Sequence, residues 1–396
     1  MLALTSQLFS LIAAALAVPS CVLFIEVISS VMSGNKRVTM PAGDRKGSIA
    51  VLVPAHNEEK GLEATLTNIR EQLRSGDQLV VVADNCTDDT ASVAANAGAM
   101  VAVRNDLSKI GKGYALDWGL TFLAAAPPDI VVVIDADCEI AAGSLDRLAA
   151  LSEQQHRPVQ ALYLMSAPDG SAINHQVAIF AWRVKNWVRP LGLMALGLPC
   201  QLMGTGMAFP WELIRAAELS SGAIVEDLKL GLDLARGGHA PMFCPSAVVT
   251  SSFPQTIEGT KAQRQRWEHG HLELIIARCF PVFVQSLKKR DIALLALALD
   301  LLVPPLSLLM LVLILMTGAT TILRYYGGSS IAFLISIGCF ALVTLGTLLA
   351  RSRFARDILP PRTLWLVPLY MFHKLQHYVS ALCGARVSRW VRADRG

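Results

Sequence analysis

The chain has 396 residues, enough for two or three compact domains. Hydrophobic residues make up 53% and charged residues 17%, against about a quarter charged in an average soluble protein; this excludes a disordered or collagen-like chain and argues against a wholly soluble one. The net charge of +4 is too weak to argue for a nucleic-acid partner, and the basic residues gather beside the apolar runs.

Residues 8–32 form an apolar run with one charge, Glu26. About 20 such residues span a bilayer. The preceding MLALTSQ has no positive charge and the run is long for a cleaved signal, so 1–33 is expected to be a transmembrane anchor. Lys36, Arg37, Arg45 and Lys46 follow it, and basic flanks stay on the cytoplasmic side. Residues 34–290 then read as a cytosolic domain. SIAVLVPA (48–55) is a short β-branched run that suits a buried strand and ends in His56-Asn57-Glu58-Glu59. A helical period follows over 58–74. QLVVVA (78–83) is a second strand ending at Asp84, 88–97 a helix, MVAVR (100–104) a third strand, and 111–125 a helix after its glycines. DIVVVIDAD (129–137) is a fourth strand that runs into two carboxylates. This alternation predicts a parallel, doubly wound α/β sheet, in which ligands bind beyond the carboxyl ends of the strands.

Asp135 and Asp137, at i and i+2, offer hard oxygen ligands for Mg²⁺ or Mn²⁺ bridging a diphosphate; a polar turn that ends a strand would look the same. GTGMAF (204–209) joins backbone freedom to an apolar strand. Glu226-Asp227 opens a helix over 226–236, where acids also simply favour the dipole. Gln263-Arg264-Gln265-Arg266-Trp267 lies in a polar stretch that also suits a membrane-apposed helix.

The second apolar block divides into an interfacial or kinked lead-in, 292–302, and a span, 303–323, with Pro304-Pro305 between them. Asp300 in the lead-in is expected to snorkel to the interface. Residues 328–350 are a further span without a charge. Lys288, Lys289 and Arg290 precede this pair and Arg351, Arg353, Arg356 and Arg362 follow it, so both flanks belong in the cytoplasm, in agreement with the first run. Residues 291–350 are thus two transmembrane helices with their lead-in. The remainder, 351–396, mixes Trp, Tyr, His, Lys and Arg as a basic amphipathic interface region does. Of eight cysteines none forms a C-x-x-C pair, which fits free thiols in a reducing compartment.

In this order, VLVPAHNEE, VVVADNCTDDT, GKGYALDWGL, VIDADC, GTGMAF, VEDLKLGLDL and QRQRW resemble the family 2 glycosyltransferases, with their Rossmann-like GT-A fold. The resemblance covers about 48–275. The flanking apolar segments resemble its membrane-bound members, the bacterial exopolysaccharide glycosyltransferases and the cellulose, chitin and hyaluronan synthase group. The tail WVRADR resembles the ending of some bacterial members. The resemblance implies a bacterial inner-membrane, multi-pass enzyme with its catalytic domain in the cytoplasm, and an inverting, metal-dependent transfer from a UDP-sugar. The acceptor it implies is a polyprenyl-linked oligosaccharide in exopolysaccharide assembly, or the enzyme's own β-linked polymer in a processive version, with membrane lipids and polysaccharide-assembly proteins as partners.

Residue by residue, the resemblance gives Asp84 the uracil contact, with Ala83 where a second acid is usual, and adds Glu58 to the donor site. Asp137 is the metal ligand, with Asp135 toward ribose and metal, and Lys112 lies near the donor phosphates. Asp227 is the general base. Gln263 and Arg266 engage the diphosphate, Trp267 the acceptor sugar, and Gly204-Thr205-Gly206 the acceptor side. A membrane nucleotidyltransferase is the alternative from another class, since it too uses paired carboxylates on a nucleotide fold; it leaves QRQRW and GTGMAF without a role. A transporter or scaffold leaves the acids at successive strand ends unexplained.

Overall fold

The computed structural model describes residues 2–33, 45–166, 173–220, 225–253 and 257–360. Lys36, Arg37, Arg362 and the expected interface region past 360 lie outside the described residues. After α1 (Leu2–Met32) come β1 (Ile49–Ala55), α2 (Leu62–Arg70), β2 (Gln78–Asp84), α3 (Thr90–Asn96), β3 (Met100–Arg104), α4 (Lys112–Leu123), β4 (Ile130–Val133) and β5 (Cys138–Ile140). The chain continues through α5 (Ser144–Gln155), β6 (Val159–Ser166), α6 (Ile173–Arg183), a π turn, α7 (Arg189–Ala195), β7 (Met207–Pro210), α8 (Trp211–Arg215), α9 (Glu226–Arg236), β8 (Met242–Ser252) and α10 (Ile257–Leu274). A second π turn leads to α11 (Phe280–Lys289), α12 (Ile292–Leu302), α13 (Leu306–Tyr325) and α14 (Ser330–Phe354). Two compact units result. One takes the described residues up to 33, 173–197 and those from 275 on; the other takes the rest up to 274.

The α/β unit holds one sheet of order β3-β2-β1-β4-β7-β6-β8-β5. β1 lies between β2 and β4 and is parallel to both, and β2 is parallel to β3. The chain enters β7 antiparallel to β4 and β6, so the fully parallel expectation holds for the first four strands and gives way there. Gly206 makes this possible. It adopts φ +66°, its N–H donates to Val133 O at 3.0 Å, and its carbonyl accepts from Ala161 N at 2.7 Å. A Cβ on Gly206 would sit 2.7 Å from that of Ala161 and 2.9 Å from Val249 Cγ2, so only glycine fits.

The fourth strand stops at Val133 rather than running to Asp137, because Asp135 N–H donates to the side chain of Thr205 at 3.0 Å instead of to a ladder carbonyl. The β-branched runs of β1, β2 and β4 are buried on both faces, as a covered parallel sheet requires. α4 lays Leu116, Leu120 and Leu123 onto Leu52, Val80, Val82 and Val131, and thereby brings Lys112 to the carboxyl edge of the sheet.

In the helical unit, α1, α13 and α14 are each long and apolar enough to cross a membrane. Leu23 and Val27 of α1 pack in one cluster with Leu309 and Leu313 of α13 and Val343 and Ala350 of α14. Asp300 does not snorkel. It is 5% exposed and accepts from Arg189 Nη2 at 2.6 Å, while Arg189 Nε donates to Glu26 Oε2 at 2.8 Å. A buried cation that reaches both acids outcompetes a stretch toward water.

Candidate active site

The sheet ends at β1, β2 and β4 point their following turns to one edge. Asn57 takes φ 57°, which asparagine tolerates, and its Oδ1 accepts from Thr87 N at 2.7 Å. Glu58 N–H donates to Thr90 Oγ1 at 2.8 Å. Together these tie the turn after β1, with Glu58, to the turn after β2. Asp84 ends β2 with 0% exposure. Its Oδ1 accepts from Arg104 Nη1 at 2.5 Å and from Asn85 Nδ2 at 3.2 Å, and its Oδ2 is buried with no partner among the described residues. Burial pushes the Asp84 carboxyl above its ordinary pKa, against the pull of Arg104.

Beyond β4, ligand atoms of Asp135, Asp137 and Cys138 lie within 4.8 Å of one another. Burial pushes the Cys138 thiol up to about 12, so the two carboxylates are the hard donors of the group. Lys112, the first residue of α4, donates its Nζ to Asp135 Oδ1 and, at 2.7 Å, to the Gly204 carbonyl. Burial opposes the charge on Lys112, but Asp135, Glu226 and Asp227 outweigh it and hold its pKa above the ordinary value. A Cβ on Gly204 would lie 3.5 Å from Asp227 Oδ2 and 3.8 Å from Lys112 Nζ, so Gly204 lines the space between the proposed base and the lysine. Thr205 is fully buried; its hydroxyl accepts from Asp135 N–H and donates to Cys138 Sγ, so it braces the carboxylate turn from beneath. Gly206 packs under Ala161 and Val249.

Glu226 and Asp227 open α9, and their negative charge faces the positive end of its dipole. Burial pushes the Glu226 carboxyl up to about 7, opposed by Lys112 and reinforced by Asp227. On α10, Gln263, Arg266 and Trp267 share a face at i, i+3 and i+4. Gln263 is 7% exposed and its Oε1 is buried with no partner among the described residues. Burial lowers the pKa of Arg266, while the charges of Glu226 and Asp135 draw it back up. Lys112, Gly204, Asp135, Glu226, Asp227 and Arg266 therefore form one charged cluster. Asp84 and Glu58 lie apart from it, at the end of β2 and in the turn after β1.

Sequence reasoning passed over Arg104 and the distinct character of Glu226. Arg104 is set against Asp84 only by the parallel register of β2 and β3, and nothing local to MVAVR signals it. The pKa of Glu226 carries a stability prediction. An acid whose pKa rises from 4.5 to about 7 on folding contributes most at low pH and loses that contribution as pH climbs through 7. Glu226→Gln lacks this titration. Its unfolding temperature should gain on wild type between about pH 5 and about pH 8, read by thermal melts in detergent; an unchanged difference would contradict the burial of that carboxylate.

A family model described as "Glycosyltransferase like family 2" matches residues 46–270. An uncharacterized glycosyltransferase of Mycobacterium tuberculosis is 41% identical over 129 residues, 31% of this chain and 53% of that protein. The 4,4'-diaponeurosporenoate glycosyltransferase of Staphylococcus haemolyticus is 31% identical over 125 residues, 29% of this chain and 32% of that protein. The chain thus spans about half the length of the mycobacterial relative it matches. Among solved structures, a mannosyltransferase of Pyrobaculum calidifontis in complex with GDP-Man and Mn²⁺ shares the fold at a TM-score of 0.50 and 18% identity, covering 86% of this chain and 99% of that one.

Proposed function

The chain belongs to glycosyltransferase-like family 2, and from that premise we propose that it moves a sugar from a nucleotide-sugar, UDP-linked, to a lipid-linked saccharide at a membrane surface. The observation that carries the reading is the meeting of Asp135, Lys112 and Asp227 around Gly204. This puts a carboxylate with no role in the Asp135–Asp137 pair beside the group that would hold the donor's phosphates. Asp227 takes the proton of the acceptor hydroxyl as that oxygen attacks the anomeric carbon. Lys112 and Arg266 neutralise the charge that gathers on the departing diphosphate. A single displacement inverts the anomeric carbon, so an α-linked donor gives a β-glycoside. The two oxygen-donor side chains of Asp135 and Asp137 suit a hard divalent ion, Mg²⁺ or Mn²⁺. When bound, such an ion supplies Lewis-acid stabilisation of the leaving group. Trp267 offers a flat apolar face to the acceptor sugar, and the amide of Gln263 can donate to the donor's diphosphate.

The test is a purified chain given divalent cation, a lipid extract, and UDP-sugar or NTP carrying separate labels. Sugar entering the lipid phase supports transfer of a glycosyl group, and mass analysis reads one residue or many. Nucleotide entering the lipid phase instead would make the chain a nucleotidyltransferase.

The donor is cytoplasmic, so the reading also requires a bacterial inner membrane with the α/β unit on the inner side. Lys288, Lys289 and Arg290 before α12, and Arg351, Arg353 and Arg356 at and just beyond the end of α14, fit that orientation. A reporter active only in the periplasm should stay silent when fused after Lys289 or Arg356 and should be active near Gly327. Activity at Lys289 would remove the donor from reach of the site.

A further inference from the structure

Arg104 ends β3 directly opposite Asp84 in the parallel ladder. It is 7% exposed, and both terminal nitrogens of its guanidinium have partners. Nη1 donates to Asp84 Oδ1 at 2.5 Å, while Nη2 donates to the Lys109 carbonyl at 2.8 Å and to Asp106 Oδ2 at 3.3 Å. Its carbon stands 5.6 Å from the centre of the Tyr114 ring, and its own carbonyl accepts from Asn85 N–H at 2.7 Å. Arg–carboxylate pairs often form a two-oxygen fork. Here Arg104 takes one oxygen and spends its second arm elsewhere. The other Asp84 oxygen is left buried and, among the described residues, without a partner, at the carboxyl end of β2. A buried acceptor in that state is costly unless a ligand completes it. The other groups that face Asp84 do not fill the gap. His56, from the turn after β1, uses Nδ1 on the Asp84 carbonyl at 2.7 Å, and the Asn85 amide goes to Oδ1.

A carboxylate only accepts hydrogen bonds. The ring nitrogen that would meet it carries a proton in uracil (N3) and guanine (N1), and a lone pair in cytosine (N3) and adenine (N1). We propose that Arg104 is a positioning residue for donor choice: by fixing the Asp84 carboxylate with one oxygen uncommitted, it makes the pocket receive a base with a ring N–H and reject one with a ring lone pair. This rests on the nucleotide-donor reading above and adds to it the residue that enforces the choice of base. Burial alone pushes Asp84 toward its neutral form, and a neutral carboxyl could donate to cytosine or adenine. Without the guanidinium the preference is therefore expected to collapse, not merely weaken.

Equilibrium binding of UDP, GDP, CDP and ADP to the detergent-purified full chain in Mn²⁺ buffer tests this. The better of UDP and GDP should bind wild type at least about tenfold tighter than CDP and ADP, a difference of roughly 1.4 kcal/mol. Arg104→Met keeps an unbranched apolar side chain and should bring that ratio within about threefold, and Arg104→Lys should restore part of it. Should the Met variant fail to fold, Asp84→Asn serves in its place. It is isosteric, its amide can donate, and it should bind CDP more tightly than wild type does. An equal loss for all four nucleotides in Arg104→Met, or an unchanged ratio, would reduce Arg104 to a structural residue. Wild-type binding of nucleotides without base preference would overturn this inference and leave the donor reading standing. Binding of none of them would overturn both.

Discussion

Asp227→Asn is expected to bind nucleoside diphosphate with near wild-type affinity and to turn over about 10²–10⁴ times more slowly, the usual cost of losing a general base. The change keeps shape and volume and removes only the ability to take a proton. Asp227 sits in the first turn of α9, with its Oδ2 facing the space over Gly204 and its charge felt by Lys112. That places it across from the carboxylate turn at Asp135–Asp137 and leaves the ion site intact in the variant. Glu226→Gln is the control, because Glu226 lies beside Asp227 yet has been pushed up to about 7 by burial. If proton acceptance belongs to Asp227, the Gln variant retains most of its turnover. Near-normal turnover in Asp227→Asn with loss in Glu226→Gln would transfer the role to the neighbour. Steady-state rates and donor titrations on the same monodisperse samples distinguish these outcomes.

The largest stability effect is expected in the helical unit, from Arg189→Met. Arg189, Glu26 and Asp300 are 6%, 1% and 5% exposed, and the guanidinium contacts both acids as well as the Asp300 carbonyl. Removing it strands two buried carboxylates, a change that costs on the order of 3–5 kcal/mol. The backbone cannot relax easily around the gap. A Cβ on Gly192 would come within 1.9 Å of the Glu26 carbonyl, so α7 lies hard against α1. The expected result is a steep loss of folded, monodisperse protein and a fall in unfolding temperature. The triple variant Glu26→Gln, Arg189→Met, Asp300→Asn should recover much of that loss, since it leaves no uncompensated charge. A triple variant as unstable as the single one would show that packing, not charge balance, is what Arg189 supplies.

The parts of this molecule that a sequence can reveal are those written locally. The β-branched runs at 48–55, 78–83 and 100–104 became strands, and the periodic stretch at 226–236 became α9. Asp135 and Asp137 stand just past the apolar run that forms β4. What was not legible depends on partners distant in the chain. The antiparallel entry of β7 follows from Gly206 resting on Ala161 and Val249. The early end of β4 follows from a Thr205 hydroxyl taking the place of a ladder carbonyl. Asp300 looked like a charge obliged to reach water, because Arg189 lies 111 residues away in the chain and gives no sign of it in 292–302. Arg104 was silent for the same reason: its meaning lies in the register between β2 and β3.

Proton NMR of the product formed from an α-linked UDP-sugar by the purified full chain, with and without EDTA, is the most direct measurement. Single displacement at a site built on Asp135, Asp137 and Asp227 predicts a β-linked product and free UDP, both lost when the divalent cation is removed and both regained on adding Mn²⁺ or Mg²⁺. An α-linked product, or transfer that continues undiminished in EDTA, would contradict it.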